Sequence, residues 1–424
     1  MSRNSRSYWQ IFFLLSLVLF GLLFFIFLPK VLSEHYLFQD LALNISPQLL
    51  PEKVFTPSYV ETPKSVKGIY MTSWTASQSS LRDPLVKLID DTELNTVVID
   101  IKDYSGRIVF PVTNPELEAY GSEEVRISDL PEFIESLHKK GIYVIGRVAV
   151  FQDAYFVKHR PDLAVKNKLG QEVWKDKKGI SWIDAGAREY WDYIVLIAKE
   201  ARKIGFDEIN FDYIRFPSDG DMYDISYTWS STTPKAIVLK IFFSYIHDRL
   251  ISQVSQGEPL GKGLANLSTS PPMPDIGGNG INGLKISADL FGMTTTAESD
   301  LGIGQVLENT LPYFDYVSPM VYPSHYPPTF EGFKEPEAHP YEVVHFAMQS
   351  GVMRAELLAS TTGQSLVDYK NKLRPWLQDF GLRQDYGPTE VKAQIKATND
   401  VGLTSFLLWS ASNRYTQGAL NTEQ

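Results

Sequence analysis

The chain has 424 residues, of which 44% are hydrophobic and 21% charged, a composition typical of a globular protein that buries a large core. Its formal net charge of −10 argues against nucleic acid as a partner, because phosphate binding normally depends on a basic surface. Cysteine is absent, which excludes thiol catalysis, disulfide bonds and cysteine-ligated zinc.

The N-terminus combines a short basic segment with a long apolar run. Residues 1–8 carry two arginines and are expected in the cytoplasm. Residues 9–29, WQIFFLLSLVLFGLLFFIFLP, are long enough for one helix to cross a bilayer. We therefore predict a single-pass cell-membrane protein with its C-terminal domain extracytoplasmic, and a stalk over residues 30–66. The alternative is a signal peptide cleaved near residues 31–33, which would release a secreted protein.

From residue 67 onward, short β-rich runs alternate with helical patterns. This order predicts parallel strands joined by crossover helices. Eight such strands favour a closed (β/α)8 TIM barrel over the alternative, an open doubly wound sheet, because no G-x-G-x-x-G follows the first strand. The predicted strands lie within residues 67–73, 95–103, 142–150, 208–217, 284–291, 314–322, 372–380 and 404–410.

One interval interrupts this alternation after the fourth strand. Residues 255–282 are rich in Gly, Pro and Ser and offer little apolar surface to offset the entropy lost on ordering, so we predict a flexible insertion. The barrel domain is predicted to span residues 67–416 with this insertion, and residues 417–424 form a C-terminal tail.

Polar and aromatic residues recur where the predicted strands end. The active site of a TIM barrel lies at the C-terminal ends of its strands, so these residues are site candidates. Carboxylates and amides bind sugar hydroxyls and aromatic rings stack on sugar C–H faces, so the combination indicates a carbohydrate site. The candidates are Asp100, Lys102, Asp103, Arg147, Asn210, Asp212, Arg215, Asp289, Tyr322, His325, Trp376, Gln378 and Trp409.

Asp212 in the fourth strand and Asp289 in the fifth are the predicted catalytic pair. Hydrolysis of a glycosidic bond needs one carboxyl to protonate the leaving oxygen and another to attack the anomeric carbon or activate water. Neighbouring strands lie about 4.8 Å apart, so two strand-end carboxyls could flank one bond. Asp212 is assigned as nucleophile or stabilising carboxylate and Asp289 as general acid/base. Alternatively, Arg147 or Arg215 neutralises Asp212 in a structural ion pair.

No metal or cofactor is expected. The seven histidines form no H-E-x-x-H motif and no close pair. No Gly-rich loop follows the seventh or eighth strand, which disfavours a barrel acting on a phosphorylated small molecule.

Several motifs together resemble a bacterial family of glycoside hydrolases with a TIM-barrel domain, long classed as a domain of unknown function. They include VVIDIKDYSGRI, GRVAVFQDAYFVKHRPDLAVKNK, FDEINFDYIRFPSDG, ISADLFG, DYVSPMVYPSHYPPTFEGF and FLLWSASNRYT, and the resemblance runs from Lys67 to Thr416. It implies that Asp212 and Asp289 take the places of the acids in related glycosidase barrels. It also implies that His325 belongs to the site.

The predicted function is hydrolysis of glycosidic bonds in a cell-envelope or extracellular polysaccharide by a membrane-anchored barrel. The other site candidates are predicted to bind the carbohydrate. The alternative is a non-catalytic carbohydrate-binding or envelope-organising barrel. Carboxyl groups about 5 to 9.5 Å apart in an open cleft favour hydrolysis, whereas acids buried in ion pairs with Arg147 or Arg215 favour binding or structure.

Overall fold

The computed structural model describes residues 55–251, 283–363 and 366–422. The predicted cytoplasmic segment 1–8, the transmembrane segment 9–29, the stalk up to residue 54 and the insertion 255–282 lie outside these residues. Within the described ranges, no helix is both long and apolar enough to cross a membrane.

Eight parallel strands close into a barrel in chain order, which confirms the predicted fold of this domain. Each strand pairs with the next, and the last returns to the first, where Lys67 lies opposite Phe406 and Ile69 opposite Leu408. Each observed strand lies within its predicted range. The strands are β1 Lys67–Met71, β2 Thr96–Lys102, β3 Tyr143–Ala149, β4 Glu208–Asp212, β5 Lys285–Phe291, β6 Tyr316–Met320, β7 Trp376–Gln378 and β8 Phe406–Trp409.

Helices of very different length connect the strands. The longest ones carry apolar side chains that are buried against the barrel, which is the usual reason for an amphipathic sequence. In the described part of the chain they are α1 Ser73–Ala76, α2 Ser79–Asp90, α3 Pro115–Ala119, α4 Leu130–His138, α5 Ala154–His159, α6 Arg188–Lys203, α7 Lys235–Leu250, α8 Leu307–Thr310, α9 Pro340–Thr362, α10 Leu366–Asn371 and α11 Pro388–Asp400.

The two faces of each strand pack in different environments. On β4, Ile209 and Phe211 belong to the apolar cluster shared with the helices. Glu208 on the same strand forms a salt bridge with Arg374 beside β7, which is not a neighbour of β4. That contact must cross the barrel interior. Because side chains alternate along a strand, Asn210 and Asp212 face the interior as well.

The salt bridge between Glu208 and Arg374 occupies the N-terminal end of the barrel. Both side chains are fully buried, and Tyr143 donates its phenolic proton to Glu208 Oε2 over 3.1 Å. Neither residue was among the predicted site residues. Loss of one partner of a buried ion pair leaves an uncompensated charge, so the pair fixes the geometry of this end of the barrel.

The residues just before β1 contact this same end of the barrel, although the sequence analysis assigns them to a stalk. The Tyr59 phenol donates to the carbonyl oxygen of Arg202 over 2.9 Å, and the Arg202 guanidinium lies 3.4 Å from the ring centroid. The Val60 amide donates to Asp207 Oδ1 over 2.8 Å. These contacts bind residues 58–66 to the barrel.

A chain that starts at Lys67 is therefore expected to be less stable than one that starts at Phe55. Truncation removes the donor to Asp207 Oδ1 and the ring stacked on Arg202. The expected loss in the free energy of unfolding is about 1–3 kcal/mol, measured by urea denaturation. Substitution of exposed Glu61 by alanine is the control and should leave the free energy of unfolding unchanged. Equal urea midpoints for the chains that start at Phe55 and at Lys67 would contradict the prediction.

Candidate active site

The structure brings Asp212 and Asp289 together at the C-terminal end of the barrel. Phe211 on β4 lies opposite Ala288 on β5, so Asp212 and Asp289 are the next pair along these strands. Asp212 is 6% exposed and Asp289 is 1% exposed. The two predicted catalytic carboxyls therefore share one interior layer, with little contact with solvent.

Arg147 on β3 is the charge partner of Asp212. Its Nη2 lies 2.5 Å and its Nε 3.2 Å from Asp212 Oδ2, and its Nη1 donates to Asp100 Oδ1 over 2.5 Å. Burial opposes the charge of Arg147, but the two carboxylates raise the pKa of its guanidinium well above the usual value. Arg147 and Arg215 were both predicted as possible ion-pair partners of Asp212, and Arg147 is the one that neutralises it.

Asp289 has a different environment, without a guanidinium partner. Its Oδ1 accepts hydrogen bonds from Asn210 Nδ2 over 2.9 Å and from Trp376 Nε1 over 2.8 Å. Burial and the negative charge of Asp212 raise the pKa of Asp289 to about 8. At neutral pH Asp289 is therefore mainly protonated while Asp212 is bound to a cation.

Aromatic rings form one side of this layer. Tyr70 and Trp409 are stacked with centroids 4.0 Å apart, and Trp376 meets Trp409 edge-on at 5.5 Å. The Arg147 guanidinium lies 5.1 Å from the Trp409 centroid, and Tyr70 donates its phenolic proton to Asp100. Tyr70 was not predicted as a site residue, although it lies next to the last residue of β1, on a strand whose end belongs to the same face of the barrel.

Tyr322 and His325 follow β6 at the rim of the site. Burial and the charges of Asp289 and Asp212 raise the pKa of Tyr322 well above its usual value, so its phenol remains a proton donor. His325 is exposed, meets the Tyr322 ring edge-on at 5.4 Å, and contacts Ser324 Oγ through Nδ1 over 2.9 Å. Although part of its ring contacts solvent, the groups packed around it desolvate His325 and lower its pKa, which favours the neutral ring.

Lys102 is not brought to the carboxyl pair, in contrast to the sequence prediction. Its Nζ donates to the carbonyl oxygen of Ala149 over 2.6 Å and lies 2.9 Å from Asp153 Oδ2, with both side chains fully buried. The register between β2 and β3 shifts between Asp100 and Lys102, which places Lys102 opposite Val148. Such a bulge re-aims the side chain, so the interior alternation ends at Asp100.

Asp103 and Gln378 already have protein partners for their polar atoms. Asp103 accepts from the Ser105 amide over 2.9 Å and from Arg126 Nη1 over 2.6 Å. Gln378 Oε1 accepts from the Ser324 amide over 3.0 Å, and its Nε2 donates to the Phe380 carbonyl over 2.8 Å. These contacts hold loops of the C-terminal face in place, and binding of substrate by the two residues stays a prediction.

The backbone turns sharply after Asp212. Tyr213 has a φ of 53°, a left-handed conformation that is rare for residues other than glycine, and its amide donates to Asp212 Oδ1 over 2.5 Å. Residues held in such conformations cluster at functional sites. Arg215, two residues on, donates to the Phe216 carbonyl and to Ser218 Oγ and forms no salt bridge with Asp212.

Within the described ranges, no group of three or more His, Asp or Glu side chains is arranged to hold a metal ion.

Comparison with known proteins gives one family and several structures with a similar fold. A family described as "Putative glycosyl hydrolase domain" matches residues 68–256 and 281–415. A hypothetical protein from Ruminiclostridium thermocellum ATCC 27405 is 32% identical over 43% of this chain and 92% of its own, with a TM-score of 0.40. No curated protein matches the chain.

The PgaB (BpsB) glycoside hydrolase domain from Bordetella bronchiseptica has a TM-score of 0.54 and 12% identity, over 82% of this chain and 94% of its own. At that identity the likeness shows the fold alone. The α-L-fucosidase isoenzyme 2 from Paenibacillus thiaminolyticus has a TM-score of 0.49 and 10% identity, over 84% of this chain and 47% of its own.

Proposed function

The chain belongs to the family described as "Putative glycosyl hydrolase domain", as the motifs predicted, and we propose that it hydrolyses glycosidic bonds with Asp212 and Asp289 as its two catalytic carboxyls. The observation that carries this proposal is the contrast between them. Asp289 is buried and its pKa is raised to about 8, whereas Asp212 is paired with Arg147. A buried carboxyl with a raised pKa beside a carboxyl held by a cation is the arrangement that glycosidases use for acid and nucleophile.

In the proposed mechanism, Asp289 gives its proton to the leaving oxygen as the bond to the anomeric carbon breaks. Asp212 attacks that carbon or stabilises its positive charge. Asn210 and Trp376 already donate to Asp289 Oδ1, so they stabilise the carboxylate that forms. Water then supplies the new oxygen on the anomeric carbon, and its proton returns to Asp289. Asp100 remains as a counter-ion for Arg147 when Asp212 loses its charge.

The proposed substrate is a polysaccharide of the cell envelope or the surroundings. This proposal depends on the predicted membrane anchor over residues 9–29, which would hold the barrel outside the cytoplasm. Tyr70, Tyr322 and Trp409 offer rings and phenols of the kind that bind sugars, and lie beside the carboxyl pair or its arginine.

A second candidate function is carbohydrate binding without cleavage. The salt bridge between Arg147 and Asp212, whose side chains are only 7% and 9% exposed, favours it. An acid buried in such a pair is the geometry that the sequence analysis assigned to binding or structure.

The test of these two functions is a screen of the full-length chain in mild detergent against soluble neutral, N-acetylated and acidic polysaccharides. New reducing ends that disappear in the Asp212→Asn and Asp289→Asn variants support hydrolysis. Binding without new reducing ends supports the second candidate, and neither binding nor cleavage contradicts both.

Trp74 on α1 is expected to strengthen glycan binding in either case. Trp74 is 58% exposed just after β1, and its ring lies 4.6 Å from the Arg126 guanidinium, which forms a salt bridge with Asp103. Ring contacts of this kind contribute about 0.5–1.5 kcal/mol, so Trp74→Ala should weaken affinity roughly two- to tenfold, measured by calorimetric titration. Leu357→Ala, at an exposed position of α9, should leave affinity unchanged. Equal affinities for the two variants would contradict a binding role for Trp74.

A further inference from the structure

Arg215 follows β4 and has unused hydrogen-bond donors. Its Nη1 donates to the Phe216 carbonyl over 3.1 Å and to Ser218 Oγ over 3.2 Å. Within the described ranges its Nε and Nη2 have no protein acceptor, and no carboxylate lies within salt-bridge distance. Arg147, the other arginine of the site, is by contrast bound to two carboxylates.

Aromatic rings enclose the Arg215 guanidinium. Its central carbon lies 4.7 Å from the Trp182 centroid, 4.8 Å from that of Phe291 and 5.3 Å from that of Tyr213. The rings keep water from much of the group, and this burial lowers the pKa of Arg215. Arg215 is half-buried, and its unpaired Nε and Nη2 are not among the fully buried atoms, so a ligand can reach this edge, and a guanidinium favours an anionic acceptor.

The position of Phe291 locates Arg215 relative to the carboxyl pair. Phe291 is two residues beyond Asp289 on β5, and the two side chains share one face of the strand. Two residues of a strand span about 6.6 Å, so the guanidinium lies about one layer closer to the mouth of the barrel than the Asp289 carboxyl. A sugar bound between Asp212 and Asp289 would have its substituents within reach of this guanidinium.

The remaining role for Arg215 is recognition, because Arg147 already neutralises Asp212. We propose that Arg215 binds a carboxylate on the sugar at the cleavage site, so that the substrate is an acidic polysaccharide built from uronic acids or other carboxylated sugars. The free Nε and Nη2 form the edge of a guanidinium that matches the two oxygens of a carboxylate. This inference rests on the proposed function and adds the chemical class of the substrate.

The experiment uses three uronate polymers, polygalacturonate, alginate and hyaluronan, each with its methyl-esterified form. Esterification removes the charge and keeps the linkage, so each pair is a matched control. Binding is measured by affinity electrophoresis and calorimetry with the full-length Asp289→Asn chain, which keeps the site and prevents cleavage. Arg215→Met and Arg215→Lys are then added to this background, and circular dichroism checks that each variant is folded.

At least one uronate polymer is expected to bind at least tenfold more tightly than its ester. Arg215→Met should remove that preference and leave the affinity for the ester unchanged, and Arg215→Lys should retain part of it. Added salt should weaken uronate binding only where position 215 is cationic.

Three results would overturn the inference and can be told apart. A neutral polysaccharide that is cleaved by the wild-type chain, and bound equally with and without Arg215→Met, refutes the acidic substrate and leaves the proposed function standing. Absence of binding and cleavage for every polymer, charged, esterified or neutral, refutes both. A sulfated dextran that binds better than any uronate would show that Arg215 accepts another anion, and would refute the assignment of a carboxylate.

Discussion

Asp289→Asn is expected to lower kcat on a natural polysaccharide by about 10²–10⁴-fold, the usual contribution of a general acid. Asparagine keeps the shape of the side chain and an oxygen that can accept from Asn210 and Trp376, but has no acidic proton. Asp212→Asn should cause a loss at least as large, because it removes the group proposed to stabilise the anomeric carbon and leaves Arg147 with Asp100 alone.

Substrates with different leaving groups distinguish the general-acid role of Asp289 from the role of Asp212 at the anomeric carbon. A nitrophenyl glycoside needs little protonation when its bond breaks, so Asp289→Asn should lose much less activity on it than on the polysaccharide. Asp212→Asn should be impaired on both substrates. Initial rates of sugar release and of nitrophenol release provide the measurement.

Asp207→Asn is the matched control for these two variants. Asp207 is a buried carboxyl just before β4, at the opposite end of the barrel, where it accepts from the Val60 and Val144 amides. Changes at that end affect stability more than chemistry, so its kcat should stay within a few-fold of wild type while its melting temperature falls. Equal activity losses in Asp207→Asn and Asp289→Asn would show that the effect is structural.

The barrel could be predicted from the sequence because each strand signal is local. The apolar runs, their helical separators and their order contain the information for eight parallel strands, and Asp212 and Asp289 follow from the rule that strand ends form the site. Tyr70 follows the same rule and could have been included.

The contacts between distant strands could not be predicted in the same way. The pair of Glu208 and Arg374 joins β4 to the start of β7 across the interior, which depends on the tilt and register of the closed barrel. Lys102 fits the alternation in sequence, but the bulge in β2 turns it away.

Which of the two arginines pairs with Asp212 also depends on the three-dimensional fold. Arg147 lies opposite Asn210 in the register between β3 and β4. Asp212 is two residues beyond Asn210 on the same face of the strand, so its carboxylate is within reach of Arg147. Arg215 is closer to Asp212 in sequence, but the left-handed Tyr213 turns the chain between them. Arg147 is therefore bound to Asp100 and Asp212, whereas Arg215 forms no salt bridge with any described residue and is available to a ligand.

Wild-type protein is expected to lose stability relative to Asp289→Asn as the pH rises from about 4 to about 8. An aspartate in the unfolded chain has a pKa near 3.9, whereas burial and Asp212 raise the pKa of Asp289 to about 8. In this window the folded protein holds one proton more than the unfolded chain. The free energy of unfolding therefore falls with rising pH, by up to about 1.4 kcal/mol per pH unit.

The difference between the two unfolding curves isolates this group, because asparagine does not titrate. Between pH 4 and pH 8 the difference between the free energies of unfolding should shift in favour of Asp289→Asn by on the order of 5 kcal/mol, and it should stay constant above pH 8. Removing the charge of Asp212 lowers the pKa of Asp289, so in an Asp212→Asn background the same difference should reach its plateau at lower pH. Urea denaturation at each pH measures it. Parallel curves for wild type and Asp289→Asn between pH 4 and pH 8 would mean that Asp289 is ionised in the folded protein, and would remove the proposed acid from the mechanism.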